Sequence, residues 1–140
     1  MLSDVMRLPE ENLWPHSNAE MLQVLRYRKG EGYLSHTDFG GEDPHDRFVT
    51  ILIYLSDPPP EGGRTSFPEA QRCQSRLGAT PALHPQKGDA LAFYSMRKDG
   101  NFDIASKHTA LPHHTNGFEK WACNLWVWDP ARKANPLDYL

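Results

Sequence analysis

The stretch RFVTILIYL at residues 47–55 is followed by the turn DPPP at residues 57–60. The run is rich in β-branched and aromatic residues, which favour a buried strand, and the prolines end it. Turn-forming residues separate it from other short strand-like segments, and no long stretch has helical periodicity. The further strands are predicted at residues 21–28, 33–39, 65–67, 81–85, 90–94, 104–110 and 120–128. The sequence therefore predicts a mostly β domain, either a sandwich or a barrel such as the jelly roll.

Residues 29–32, which read KGEG, join the first two predicted strands. A short glycine-bearing link between two strands is typical of a β-hairpin, so we expect these two strands to pair with each other. Residues 1–20 contain Pro9 and Pro15 and are predicted to be a weakly ordered N-terminal segment.

The chain has 140 residues, of which 39% are hydrophobic and 24% are charged, and this fits a single domain over residues 1–140. A net charge of -3 gives no general attraction to nucleic acid or to an anionic membrane. The longest apolar-rich run, residues 48–55, is too short to span a bilayer. We therefore predict no nucleic-acid partner and no membrane segment. Cys73 and Cys123 are expected to be free thiols, with a disulfide as the alternative.

His36-Thr37-Asp38 is the first group that indicates chemistry. Residues two apart in a strand point to the same face, so this imidazole and carboxylate would converge. A metal site with two nitrogens and one oxygen needs a second histidine from a distant strand. His108 fits best, because residues 104–110 could form a strand next to the last one. The alternative interpretation is a hydrogen-bonded surface pair. The remaining histidines, in loops or beside prolines, are His16, His45, His84, His113 and His114.

Lys120 opens the last predicted strand, where alternation places it on the same face as Ala122, Asn124, Trp126 and Trp128. If that face is exposed, Lys120 is an edge residue whose stem covers aromatic rings. If the face is interior, the ammonium needs a permanent anion, and a dicarboxylate cosubstrate would supply one. The residues predicted to pack in the core are Trp121, Leu125, Val127, Ile51, Ile53, Leu55, Tyr33 and Tyr54.

Six segments occur in the order in which prolyl 4-hydroxylase catalytic domains have them. They are LQVLRY (22–27), GYLSHTDF (32–39), RFVTILIYL (47–55), GGRTSFP (62–68), KGDALAFY (87–94) and EKW (119–121). By this resemblance, which covers nearly the whole chain, the protein is identified as a member of the iron(II)- and 2-oxoglutarate-dependent dioxygenases, in the prolyl 4-hydroxylase branch. The resemblance implies a double-stranded β-helix, the cupin-like form of the jelly roll.

The resemblance also assigns roles to individual residues. The implied iron ligands are His36, Asp38 and His108. Lys120 is the implied partner of the distal carboxylate of 2-oxoglutarate, Tyr27 helps to hold that cosubstrate, and Arg47 lies at the mouth of the substrate groove. Asp supplies a hard oxygen ligand and neutral imidazoles suit Fe(II), so the chemistry of these side chains agrees with the assignment.

The implied activity is hydroxylation of proline in a peptide or protein. Fe(II) is the implied cofactor, O2 and 2-oxoglutarate are consumed, and succinate and CO2 are released. L-Ascorbate is implied as the reductant that keeps the iron active. Two alternatives stay open: a dioxygenase acting on a free amino acid or another small molecule, and a non-catalytic metal- or ligand-binding β-barrel. A zinc hydrolase is less favoured because it gives Lys120 no task.

The sequence departs from the family pattern between His108 and Lys120, which are 12 residues apart, a longer interval than usual in the family. His113 or His114 is expected to add a polar contact there. Met1 aligns inside the usual domain, so we expect an N-terminally truncated form without the elements that brace the sheet in relatives. As written, the chain carries no targeting signal and is expected in the cytoplasm; with a longer N-terminus, the endoplasmic reticulum is the expected compartment.

Overall fold

The structure is a computed structural model that describes residues 19–39, 47–70 and 82–128. The predictions for residues 1–18, His45 and Cys73 lie outside the described residues. The described strands are β1 (Gln23–Tyr27), β2 (Tyr33–His36), β3 (Arg47–Tyr54), β4 (Thr65–Ser66), β5 (Ala82–Leu83), β6 (Ala90–Tyr94), β7 (His108–Ala110) and β8 (Lys120–Trp128). A 3-10 turn, Ile104–Ser106, precedes β7, and no described helix is long and apolar enough to cross a membrane.

The eight strands form two four-stranded antiparallel sheets, with the orders β1-β8-β3-β6 and β2-β7-β4-β5. Successive strands mostly alternate between the two sheets, while β4 and β5 pair with each other. Two four-stranded sheets connected in this way are a jelly roll. The predicted mostly β, double-stranded β-helix fold is therefore confirmed.

The predicted hairpin between the first two strands is wrong. β1 pairs with β8, from Gln23 opposite Asn124 to Tyr27 opposite Lys120, whereas β2 pairs with β7. The KGEG link crosses from one sheet to the other, and Gly30, at φ +81°, donates its backbone N–H to the carbonyl of His113. A glycine-bearing link reverses the chain in a hairpin and in a crossover alike, so its composition does not choose between them.

The strand that carries His108 also has other neighbours than predicted. β7 lies between β2 and β4 instead of beside the last strand, and it begins only at His108 because residues 104–106 form the 3-10 turn. Asp103 caps that turn by accepting a hydrogen bond from the backbone N–H of Ala105. The last strand itself, residues 120–128, lies where the sequence predicts it.

One face of β3 and β8 forms a fully buried apolar core. Val49, Ile51 and Val127 are each 0% exposed and pack with Ala19. The prediction of core positions is confirmed for Ile51 and Val127. The predicted core residues that are only partly buried are Trp121, Ile53 and Leu125.

Two residues that the sequence predicts as core are exposed. Leu55 is 41% exposed because β3 ends at Tyr54, and Tyr33 is 55% exposed near the start of the short strand β2. Tyr54 is buried as predicted. Cys123 is a buried free thiol, and burial raises its pKa, which keeps the sulfur protonated and unreactive.

Candidate metal and cosubstrate site

A cavity of about 390 Å³ lies between the inner faces of the two sheets. This volume falls within the range typical of small-molecule sites. Strands of both sheets contribute to its wall, so the cavity exists only because the sheets face each other. All six residues that the sequence assigned to a site lie on this wall: His36, Asp38, His108, Lys120, Tyr27 and Arg47.

His36, Asp38 and His108 come together at one place in the cavity. His36 and His108 are direct partners across the β2–β7 pair, and their ring centroids are 4.3 Å apart. The Asp38 carboxylate places Oδ1 3.6 Å from Nε2 of His36 and Oδ2 3.8 Å from Nε2 of His108. One potential ligand atom from each residue lies within 4.8 Å of the other two. Among the described residues this is the one cluster of histidine, cysteine and acidic side chains with such spacing.

Backbone carbonyls fix the orientation of both imidazole rings. Nδ1 of His36 is 2.7 Å from the carbonyl oxygen of Leu34, and Nδ1 of His108 is 3.0 Å from that of Ser106. A carbonyl only accepts, so each Nδ1 carries a proton, and Nε2 is the ring nitrogen that faces the carboxylate of Asp38. Second-shell bonds of this kind set the tautomer of metal-binding histidines.

Asp38 reaches this position by a route that the sequence analysis did not predict. β2 ends at His36, so Asp38 lies in a bend beyond the strand and strand alternation does not place it. Thr50 of β3 donates a hydrogen bond of 2.6 Å from Oγ1 to Oδ2 of Asp38, and Thr50 is buried. Thr50 is thus a site residue that was missed, although a threonine in the middle of the apolar run of β3 was a signal that could have found it.

The protonation states at this cluster suit a divalent metal. Burial, partly offset by the carboxylate of Asp38 and the bond to Ser106, lowers the pKa of His108, so its ring is neutral near pH 7. Two imidazoles and one carboxylate, gathered on one side of a cavity, form the set of donors typical of a non-haem Fe(II) site with open positions. The residues present therefore fit an iron ion.

Lys120 lies at another part of the same cavity wall and is only 6% exposed. Its Nζ donates a 2.7 Å hydrogen bond to the carbonyl of Gly63 and lies 5.8 Å from the ring centroids of both Tyr27 and Tyr54. No carboxylate of the described residues pairs with it, and burial lowers the pKa of Lys120 to about 8. The interior alternative for this face is therefore confirmed, and the site can accept an anion.

Tyr54 and Thr65 complete the surroundings of Lys120. Both are buried, and their hydroxyl groups are 2.8 Å apart. Burial raises the pKa of Tyr54, although the bond to Thr65 lowers it in part, so the phenol stays neutral and can donate. Burial, with a smaller contribution from Tyr33, likewise raises the pKa of Tyr27. Thr65 lines the cavity and was not predicted from the sequence.

Arg47 lines the cavity but its charge already has a partner. Its guanidinium forms two hydrogen bonds to the carboxylate of Glu20, of 2.6 and 3.0 Å, and stacks 3.6 Å from the centroid of the Trp126 ring. Trp128 donates its indole N–H to the same carboxylate. A bidentate pair stacked on an aromatic ring is rigid, so this end of the cavity has a flat, preorganised wall.

A jelly roll that carries a His-x-Asp and distant-His cluster beside a buried lysine is the architecture of an iron(II) oxygenase that uses 2-oxoglutarate. The family model described as the 2OG-Fe(II) oxygenase superfamily matches residues 22–128. The chain belongs to this superfamily.

Within the superfamily, the sequence is similar to prolyl 4-hydroxylases. The chain is 43% identical over 102 residues to probable prolyl 4-hydroxylase 11 of Arabidopsis thaliana, covering 73% of this chain and 35% of that protein. It is 35% identical over 130 residues to prolyl 4-hydroxylase 1 of the same plant, covering 84% of this chain and 44% of the relative. The chain thus spans less than half the length of these curated relatives.

Among solved structures, the fold is similar to a viral collagen prolyl hydroxylase from Paramecium bursaria Chlorella virus-1, in its complex with 2OG. The TM-score is 0.66 at 26% identity, and the match covers 84% of this chain and 63% of the viral chain. The sequence similarity and the fold therefore lead to the same class of enzyme.

Proposed function

We propose that this chain is a 2-oxoglutarate-dependent dioxygenase that hydroxylates proline in a peptide, with Fe(II) held by His36, Asp38 and His108. The observation that carries the proposal is the pairing of two features in one cavity. One is a cluster of three ligand atoms within 4.8 Å of one another, and the other is the buried ammonium of Lys120, which has no acidic partner among the described residues.

The protein's part in the reaction is to bind and orient the reactants. When bound, Fe(II) with 2-oxoglutarate supplies the activation of O2, coupled to release of succinate and CO2. His36 and His108 present lone pairs fixed by their Nδ1 bonds, and Thr50 holds the carboxylate of Asp38. These bonds keep the ligands preorganised.

Lys120 binds the distal carboxylate of 2-oxoglutarate in this proposal. A charge-assisted hydrogen bond contributes about 1.5 to 3 kcal/mol, and burial makes the ammonium selective for an anion because an uncharged group leaves it uncompensated. The rings of Tyr27 and Tyr54 flank the ammonium, and the hydroxyl of Tyr54 is bonded to that of Thr65, so these side chains shield the bound carboxylate from bulk water. The pair of cosubstrate contacts, metal and lysine, then requires a dicarboxylate.

The proposal of a prolyl substrate is supported by two observations. Plant relatives over most of this chain are prolyl 4-hydroxylases by name, and the viral structural relative is a collagen prolyl hydroxylase. In addition, the stacked pair of Arg47 and Trp126 presents a neutralised, flat wall at the cavity, and proline-rich segments bind to such aromatic surfaces. The use of L-ascorbate stays a prediction from the family resemblance.

The test is peptide-dependent release of CO2 from labelled 2-oxoglutarate in the presence of Fe(II), with a poly-proline peptide and free proline compared. We expect release only with the peptide, a peptide mass increase of one oxygen atom, and loss of turnover in His36→Ala. Equal turnover in His36→Ala would overturn the iron assignment. Product from free proline alone would favour a small-molecule substrate, and binding of 2-oxoglutarate without succinate formation would favour a non-catalytic barrel.

A further inference from the structure

His113 is a fully buried histidine outside the cluster proposed to bind iron. Its side chain is 0% exposed, and its Nε2 lies 3.2 Å from the carbonyl oxygen of Tyr27. The carbonyl can only accept, so Nε2 carries the proton and donates it. Nδ1 is also buried and has no hydrogen-bond partner among the described residues, and the ring meets Phe118 edge-on at 5.2 Å. A polar side chain buried at this cost requires a reason.

The backbone at His113 joins two turns on either side of it. Its carbonyl accepts from the N–H of Gly30, and Gly62 forms an isolated antiparallel bridge with it. Gly63 donates its N–H to the carbonyl of Pro112 at 3.1 Å. A Cβ atom at Gly62 would lie 2.4 Å from that same carbonyl oxygen, so only glycine allows this close approach.

The glycine turn at residues 62–63 and the end of β1 both lie beside Lys120. The carbonyl of Gly63 accepts the hydrogen bond from Nζ, and Tyr27 is the direct register partner of Lys120 across the β1–β8 pair. His113 therefore contacts both sides of the lysine environment, the glycine turn through its backbone and the end of β1 through its ring.

We propose that His113 is a positioning residue for 2-oxoglutarate. Its Nε2–H ties the Tyr27 carbonyl to the glycine turn and so fixes the distance between the Lys120 ammonium and the metal cluster. The proposal rests on the proposed function, in which Lys120 binds the distal carboxylate. It predicts that His113 affects selectivity for a dicarboxylate more than it affects binding at the metal.

Two substitutions separate the hydrogen bond from the volume of the ring. His113→Gln places an amide N–H near the position of Nε2 and keeps the donor, whereas His113→Leu fills the space without one. Loss of the donor leaves the Tyr27 carbonyl without this partner, and we expect the affinity for 2-oxoglutarate to fall about tenfold in the leucine variant, equivalent to about 1.4 kcal/mol. The glutamine variant is expected to stay within about threefold of the natural chain.

The measurement is calorimetric titration of the Mn(II)-loaded full chain with 2-oxoglutarate and with pyruvate, a 2-oxo acid that lacks the distal carboxylate. His113→Leu is expected to lower the preference for 2-oxoglutarate over pyruvate, and His113→Gln to restore it. Lys120→Met is the reference variant, in which we expect the preference for 2-oxoglutarate over pyruvate to be lost completely. If the leucine variant does not fold, His113→Asn replaces it, because its shorter amide does not reach the Tyr27 carbonyl.

An unchanged preference in the leucine variant would overturn the positioning role. An equal loss of affinity for 2-oxoglutarate and for pyruvate would also overturn it, because a general structural defect would weaken the binding of both ligands alike. If the natural chain itself binds no 2-oxoglutarate, the proposed function fails along with this inference, and that result is distinguishable from the other two.

Discussion

His36 and His108 face each other directly across the β2–β7 pair, with their ring centroids 4.3 Å apart. The two strands are short, so few backbone bonds hold this pair, and neighbouring side chains must stabilise the arrangement. Tyr33 packs edge-on against His36, and Phe67 and Phe93 contact His108. The third member of the cluster, Asp38, depends instead on a single hydroxyl from the opposite sheet.

Thr50→Val removes that hydroxyl while keeping the volume of the side chain. We expect the affinity for Fe(II) or Mn(II) to fall about 10- to 100-fold, because loss of a hydrogen bond to a ligating carboxylate weakens metal binding by that order. Thr50→Ser keeps the hydroxyl and is the matched control. Calorimetric titration with Mn(II) measures the effect, and equal affinity in the two variants would contradict the role assigned to Thr50.

Lys120→Met is expected to stabilise the metal-free protein at pH 7 while it abolishes selective binding of 2-oxoglutarate. The pKa of Lys120 is about 8 in the folded chain, below its ordinary value of 10.5, because burial disfavours the charged ammonium. Keeping Lys120 charged at pH 7 therefore costs folding free energy. Removing that cost while losing the bond to Gly63 gives an expected gain of about 1 to 3 kcal/mol in the free energy of unfolding.

The sign of the pH dependence is fixed by the same pKa. Between pH 8 and pH 10.5 the unfolded chain binds more protons at Lys120 than the folded chain does, so the natural protein gains stability as pH rises through this window. Below pH 8 both states are charged and the full cost is present. Urea unfolding at pH 7 and pH 10 should therefore show a smaller advantage of Lys120→Met at the higher pH. Lys29→Met, at an exposed lysine, should show no such advantage at either pH.

The affinity for 2-oxoglutarate is expected to fall as pH rises above 8. The bound carboxylate requires the ammonium form, so binding above the pKa of Lys120 takes up a proton. By linkage, the affinity at pH 9 should be about tenfold lower than at pH 7. Titration of the Mn(II)-loaded protein with 2-oxoglutarate and with pyruvate measures this, since pyruvate makes no contact with Lys120 in the proposal. A parallel decline for both ligands would place the titrating group elsewhere.

The sequence was most informative where local patterns decide the structure. Composition and alternation predicted β8 from Lys120 to Trp128, and the same alternation placed Lys120, Asn124 and Trp126 on one wall, which lines the cavity. His108 was selected among the six other histidines by its place in a predicted strand, and the resemblance assigned it the same role. Buried strands and short motifs depend on the residues of one short segment, so they can be predicted from the sequence alone.

The sequence was least informative where distant segments meet. The KGEG link suggested a hairpin, but β1 finds its partner in β8, nearly a hundred residues away, because the jelly roll alternates strands between sheets. Asp38 is oriented by Thr50 and not by strand alternation, and Thr65 faces Tyr54 across the two sheets. Each of these contacts is created by tertiary packing, which overrides local propensity.

Gly32→Ala is expected to damage the metal cluster through the backbone alone. A Cβ atom at Gly32 would lie 2.4 Å from the carbonyl oxygen of Ala110, so β2 would have to move relative to β7, the two strands that carry His36 and His108. We expect a loss of about 1 to 3 kcal/mol in the free energy of unfolding, as for overpacked positions, together with weaker Mn(II) binding.

Gly100→Ala is the matched control for that substitution. Gly100 has φ +82° and open space where a Cβ atom would lie, so its cost is conformational, about 1 to 2 kcal/mol, and it is remote from the β2–β7 pair. Urea unfolding should therefore show similar losses of stability in the two variants, while Mn(II) affinity should fall only in Gly32→Ala. The added methyl group at Gly32 cannot be accommodated without separating β2 from β7. Unchanged Mn(II) affinity in Gly32→Ala would therefore show that the spacing of His36 and His108 does not depend on the close approach of these strands.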